Sequence, residues 1–339
     1  MTPVVSVCIA HYLGPRLIDA CIASVHAQDF DLPVEILVHD DASDDESVAH
    51  IRQHHPEVRL IESAQNVGFC VANNRMADAA RGEYLLLLNN DAELLPDALR
   101  TLHAEASAIS RPAILTLPQF DHASGDIVDR GCLLDPFFNP VPNLDPARRD
   151  VAMTIGACLW IPRTLWNELG GFPDWFGSIG EDLYLCCRAR LSGHPVRVCD
   201  TSGYRHRIGA SFGGARVQQG RLRTTLRRRA LSERNKTFAL TIITPPALLV
   251  LLLPTHLLLL LLEGTALMLV RRQTRIFTSV YLPILPELWR ARRQLVDSRR
   301  HVQQRRTATY GQFLAAFVWW PRKLEMLRRH GFPEIGASR

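Results

Sequence analysis

The sequence predicts an α/β protein whose doubly wound, mostly parallel sheet is flanked by helices and followed by a helical, membrane-associated C-terminal region. Three observations carry this expectation. Short apolar runs alternate with helix-length segments through the first 200 residues. Charge is segregated: residues 1–200 hold 14 Lys and Arg against 28 Asp and Glu, a net of −14, whereas residues 201–339 hold 25 against 6, a net of +19. Finally, residues 239–270 are almost wholly apolar, with Glu263 their only formal charge.

The elements follow in order. Residues 4–10 are a continuous apolar run, the pattern of a strand buried on both faces. Residues 16–27 set Leu17, Cys21 and Val25 at helical spacing. Residues 34–38 read as the second strand, and Ser43 as the cap of a helix reaching His54. A third strand at 58–61, a helix at 69–80 and a fourth strand at 84–88 come next. A helix opened by Pro96 runs to residue 109, and 114–117 and 154–161 are further strands. Strands separated by helices imply parallel pairing with right-handed crossovers. Ligands of such sheets gather beyond the carboxyl ends of the strands.

Composition narrows the class. With 47% hydrophobic and 22% charged residues, the 339-residue chain is neither disordered nor fibrous. Its eight cysteines are scattered without a CxxC pair, which excludes a zinc ribbon and a thioredoxin-type site and suits reduced thiols in a cytosolic compartment. Residues 1–15 lack the basic and apolar segments of a secretory leader, so none is expected. The positive tail calls for an anionic partner. Its basic residues abut greasy ones, which favours lipid headgroups and argues against nucleic acid.

Three expected strand ends carry polar clusters: His39-Asp40-Asp41-Ala42-Ser43-Asp44-Asp45, Asn89-Asn90-Asp91-Ala92-Glu93, and Gly180-Glu181-Asp182 at the head of a helix over 183–191. Each has a plain structural reading. Asp40 and Asp41 could cap a turn, Asp91 could sit in a loop, Glu181 and Asp182 could favour a helix N-terminus, and His206 could be a surface imidazole. Four aspartates within residues 40–45 exceed what a cap requires. No GxGxxG or GxxxxGK phosphate loop is present, nor HExxH or GxSxG. A diphosphate bound among carboxylates therefore needs a divalent cation as counter-charge.

VSVCIAHY (5–12), VEILVHDDASDD (34–45), NVGFCVANN (66–74), GEYLLLLNNDAEL (82–94), GGF (170–172) and GEDLYLCCRARLSGH (180–194) together resemble the family 2 glycosyltransferases of the GT-A fold over residues 4–212. The wording around NNDAEL is most similar to bacterial rhamnosyltransferases of surface polysaccharide synthesis. The resemblance implies a GT-A catalytic domain over 1–215, a basic linker or helix over 216–236, and a hydrophobic and amphipathic membrane-associated region over 237–339. It places base and ribose against His11 and Tyr12, where the family commonly has Thr-Tyr-Asn and this chain has His-Tyr-Leu. Asp40 matches the base-reading aspartate, and Asp41, Asn66, Gly68, Asn74 and Asn90 complete the nucleotide-sugar set. Asp91 is the single carboxylate of the "DxD" position, and His206 matches a histidine that completes the metal or diphosphate site in some members. Asp182 matches the catalytic base, with Glu181 beside it.

The implied activity is inverting transfer from a dTDP- or UDP-linked sugar, rhamnose being one candidate, with Mg2+ or Mn2+ as cofactor. The implied acceptor is a polyprenyl-linked or other glycan, and the implied location is the cytoplasmic face of a bacterial inner membrane, among its lipids. A non-catalytic assembly protein of the same shape, or transfer to a protein or soluble glycan, are the competing expectations. Residues 118–150, rich in Pro and Asp, are expected to face the acceptor. Basic residues flank the apolar stretch on both sides, so a single crossing and a re-entrant hairpin bent near Pro254 stay equally open. Residues 313–320, with Trp319 and Trp320 before Arg322 and Lys323, suit a helix at headgroup level. Asn235-Lys236-Thr237 is a glycosylation triplet in spelling alone.

Overall fold

The computed structural model describes residues 2–207, 216–218 and 221–336. The chain forms two compact units. The first comprises residues 1–132, 142–190 and 194–208, and the second residues 133–141, 191–193 and 209–339. Residues 133–141 and 191–193 belong to the second unit, and the first ends at 208, where the sequence sets a boundary at 215. Within the span expected to be a basic linker or helix, 216–236, residues 216–218 and 221–225 are strands and the chain is helical from Leu226 onward.

The first unit is built on β1 (Val5–His11), α1 (Asp19–His26), β2 (Val34–Asp40), α2 (Ser47–His54), β3 (Arg59–Glu62), α3 (Gly68–Ala79) and β4 (Tyr84–Leu88). There follow β5 (Ala92–Leu94), α4 (Ala98–Ala108), β6 (Ile114–Thr116), β7 (Gln119–Asp121) and β8 (Ile127–Asp129). A two-stranded ribbon, β9 (Cys132–Leu134) and β10 (Pro140–Pro142), precedes β11 (Cys158–Pro162), α5 (Arg163–Leu169), α6 (Glu181–Leu191), β12 (Val196–Val198) and β13 (Tyr204–His206).

The main sheet has seven strands in the order β12-β6-β11-β4-β1-β2-β3. β1 lies parallel to both β2 and β4, and β2 parallel to β3, as the alternating pattern predicts. β11 departs from that pattern, running antiparallel to β4 and to β6. A strand buried on both faces reads as one apolar run whichever way it points, so its sequence carries no direction. Trp160 of β11 is fully buried, and its ring lies 4.9 Å from that of Tyr84. The helix expected from Ser43 starts four residues later. Ser43 instead accepts the Leu13 N–H through its hydroxyl, while the Asp45 carboxylate accepts the Ser47 N–H at the helix start.

A second, four-stranded sheet in the order β5-β13-β7-β8 takes β7 and β8 from the stretch expected to face the acceptor. All eight cysteines are buried free thiols, and burial pushes Cys186 and Cys199 up to about 12.

In the second unit, β14 (Arg216–Gln218) pairs antiparallel with β15 (Arg221–Thr225), which lies parallel to β16 (Glu334–Gly336). The helices are α7 (Leu226–Ile243), α8 (Pro246–Arg271), α9 (Thr274–Ile276), α10 (Ile284–Arg290), α11 (Arg292–Gln304), α12 (Tyr310–Leu314) and α13 (Arg322–His330). The bend expected at Pro254 is not there. α8 runs unbroken through it, and the chain turns at Thr244–Pro245, between α7 and α8. Pro254 removes only the helical bond to the carbonyl of Val250, a residue that is 80% exposed.

α8 is two-faced. His256, Leu260, Gly264 and Leu267 pack inward, whereas Val250, Leu251, Leu258, Leu262 and Leu269 are exposed. Glu233, 1% exposed, lies 2.6 Å from Lys236, 2.8 Å from Lys323 and 3.2 Å from Arg229. Glu263 joins the same cluster through Arg229 and Lys323. Asn235 and Thr237 are fully buried, which closes the glycosylation triplet to any modifying enzyme.

Candidate active site

The first unit brings the expected strand ends together. His11 ends β1 directly beside Asp40, which ends β2. The Asn90 amide NH2 donates to His11 Nδ1 at 2.9 Å, leaving the ring proton on Nε2, a buried atom with no partner. Burial lowers the His11 pKa against the opposing pull of Asp40 and Asp45, so the ring is neutral at pH 7. Tyr12, next in the chain, is 46% exposed.

Asp40 is buried. Its Oδ2 accepts the Ser43 N–H at 3.0 Å, and its Oδ1 has no partner among the described residues. A buried carboxylate oxygen without a donor is costly, and its position at a strand end marks a place for a ligand N–H or O–H.

Asp41 and Asn74 turn out to be occupied by the protein itself. The Asp41 carboxylate accepts the N–H groups of Val67 at 2.7 Å and Gly68 at 2.9 Å, and its carbonyl accepts the Asn66 amide at 3.2 Å. Asn74 donates to the Phe172 carbonyl and to Asp174, and accepts the Phe172 N–H. The resemblance places both in the nucleotide-sugar set; in the fold their side chains hydrogen-bond to neighbouring protein groups. Gly68 opens α3 at φ +84°, and an added Cβ would sit 3.0 Å from the Gly177 carbonyl. That carbonyl accepts the Cys70 N–H, so the loop before α6 is laid across the start of α3.

At the head of α6, Glu181 is buried and Asp182 half-buried. Asp182 Oδ1 accepts the Leu183 N–H at 2.7 Å and Oδ2 the Gly156 N–H at 3.1 Å. The Ala157 carbonyl, one residue on, accepts the N–H of Asn89 at 3.1 Å. The path from Asp182 to the Asn89-Asn90-Asp91 cluster is thus one side-chain and one backbone hydrogen bond, joined through the Gly156–Ala157 peptide.

Asp91 meets His206 because β13 pairs antiparallel with β5, setting His206 opposite Ala92. His206 Nε2 lies 3.0 Å from Asp91 Oδ1, and both side chains are nearly buried. With Nε2–H donating to the carboxylate, Nδ1 is buried on the far side of the ring, with no partner among the described residues. Asp91 Oδ1 and an unprotonated His206 Nε2, 3.0 Å apart, are the donors that suit a divalent cation such as Mn2+. Residues 208–211, the rest of the motif that holds His206, lie outside the described residues.

One neighbour escaped the sequence reading. Asp129, on β8, is buried beneath this pair, and burial pushes its pKa up to about 6 against the Gly131 N–H and His206. Three-residue strands carry no periodicity that would have placed it.

Residues 6–150 match the family model described as glycosyl transferase family 2. An N-acetylglucosaminyl-diphospho-decaprenol L-rhamnosyltransferase of Mycobacterium tuberculosis is 27% identical over 225 residues, 57% of this chain and 72% of that relative. S. aureus TarS, solved in complex with UDP-GlcNAc, superposes with a TM-score of 0.55 at 17% identity, covering 88% of this chain and 90% of the other. The mannosyltransferase PcManGT from Pyrobaculum calidifontis, solved with GDP-Man and Mn2+, gives 0.51 at 18% identity over 90% and 88%. At such identity these structures speak for the fold alone. The chain is a glycosyltransferase, its residues 6–150 forming a glycosyl transferase family 2 domain carried on a GT-A fold.

Proposed function

We propose that the protein moves a sugar, rhamnose being the first candidate, from a dTDP- or UDP-linked donor to a polyprenyl-linked saccharide, with inversion, during surface polysaccharide synthesis. The observation that carries this reading is the row of three carboxylates at neighbouring strand and helix ends, each with a different partner: Asp40 with an unpaired oxygen, Asp91 with His206, and Asp182 with two amides.

Asp40 Oδ1 accepts an N–H of the base, and the exposed Tyr12 ring flanks it. Asp91 and His206 hold the divalent cation, which when bound neutralises charge on the diphosphate leaving group. Asp182 takes the proton of the acceptor hydroxyl as that oxygen attacks the anomeric carbon and the carbon–diphosphate bond breaks. Attack opposite the leaving group inverts the centre, so a second nucleophilic carboxylate is unnecessary. Glu181 orients the acceptor or the base. The test is a screen of nucleoside diphosphate sugars for thermal stabilisation with and without Mn2+ or Mg2+. No stabilisation by any of them would remove the donor assignment. In a sugar-transfer assay, Asp91→Ala raises the Mn2+ concentration for half-maximal turnover at least about tenfold, and an unchanged titration would count against its role.

The exposed face of α8 supports a membrane location. α8 is the one helix, among the described residues, long and apolar enough to cross a bilayer, and its most apolar 18 residues have a mean hydropathy of 2.1. In the second unit Trp289, Trp319 and Trp320 are more than half exposed, with Arg292 over the first and Arg328 over the last. Aromatic rings beside arginines suit the headgroup layer. Changing Leu251, Leu258 and Leu262 together to Asp moves the protein from the membrane to the soluble fraction on centrifugation. All three are exposed, so their own packing is unaffected. A triple variant that stays with membranes would place the anchor elsewhere.

A further inference from the structure

We propose that Asp19, His50 and His55 form a binding site for a divalent transition ion of the zinc class, separate from Asp91 and His206. Asp19 opens α1, His50 lies within α2 and His55 caps its C-terminal end. Asp19 Oδ1 lies 2.8 Å from His50 Nε2 and 2.8 Å from His55 Nε2, so two imidazoles converge on one oxygen. All three donor atoms lie within 4.8 Å of one another. A tetrahedral zinc with bonds of about 2.0–2.1 Å holds its ligands about 3.4 Å apart. Each histidine nitrogen need only part from the Asp19 oxygen by about 0.6 Å to reach that spacing.

The surroundings suit such an ion. Both imidazoles are 14% exposed, whereas the Asp19 side chain is 41% exposed and leaves the fourth position open to water. The His54 ring stacks on His50 at 4.2 Å and fixes its plane. His55 Nδ1 lies 3.9 Å from the Glu57 carboxylate, an ion-pair distance. Two nitrogens and one carboxylate favour zinc over magnesium, which prefers an all-oxygen shell. An ion here would tie α1 to α2, a linkage that does not depend on the donor site.

The experiment is calorimetric titration of zinc chloride into the full chain, free of any histidine tag, with unfolding temperature as a second reading. The wild-type protein and Asp91→Ala are expected to bind a common zinc equivalent that raises the unfolding temperature and that excess Mg2+ does not displace. His50→Gln and His55→Gln keep an N–H donor for Asp19 and should fold normally, yet bind that zinc at least about tenfold more weakly. Should either fail to fold, Asp19→Asn supplies the same comparison. Absence of zinc binding by the wild type, equal binding by the ligand variants, or loss of the zinc in Asp91→Ala would each overturn the site.

Discussion

Asp182→Asn is expected to lower turnover by about 10²–10⁴-fold, the usual contribution of a positioned general base, while donor binding persists. Asparagine preserves the outline of the side chain but cannot take a proton. Its NH2 must face either the Gly156 or the Leu183 amide, both of which now donate to the carboxylate. That local mismatch costs about 1–3 kcal/mol, too little to unfold the unit. Initial rates of sugar transfer, read beside the donor-induced rise in unfolding temperature, separate the two effects. Near-normal turnover in this variant would end the assignment of Asp182 as base.

The second large effect concerns stability. Glu233→Gln should destabilise the second unit by about 3–5 kcal/mol, because it leaves Arg229, Lys236 and Lys323 facing one another with only Glu263 between them. The same carboxylate sets an acid limit. Burial pushes its pKa up, but Lys236, Lys323 and Arg229 outweigh that and hold it well below the usual carboxylate value. A group whose folded pKa is depressed stabilises the fold above its unfolded pKa of about 4.3 and loses that contribution as pH falls through the folded value. Denaturant unfolding at pH 7 and at pH 3 should therefore show a gap between wild type and Glu233→Gln that narrows in acid. A gap independent of pH would mean that packing, not charge, holds Glu233.

How far the sequence announced all this depends on range. The YLLLL run was readable as β4 to the residue, since five apolar residues bounded by polar ones leave little choice. The polar groups at the ends of β1, β2 and β4 were legible because a parallel sheet puts its ligands there. The reversal of β11 was not, for want of directional information in a doubly buried strand. Nor was the small sheet that seats Asp91 on His206, whose three-residue strands are joined across more than a hundred positions. The roles of Asp41 and Asn74 were hidden for a different reason. A motif names a residue type, and only the fold shows that backbone amides already fill its hydrogen bonds. The ion cluster around Glu233 draws on residues 229 to 323, and no local pattern links them.

The sealed thiols give the molecule a practical property. None of the eight is open to solvent, and a protonated sulfur inside a packed interior reacts slowly with maleimides. A fluorophore can therefore be attached at a single introduced cysteine without first stripping out the natural ones. Ala123, exposed on the turn between β7 and β8, is a suitable point. A dye there would ride on the same small sheet as His206 and report the arrival of a nucleotide by its emission.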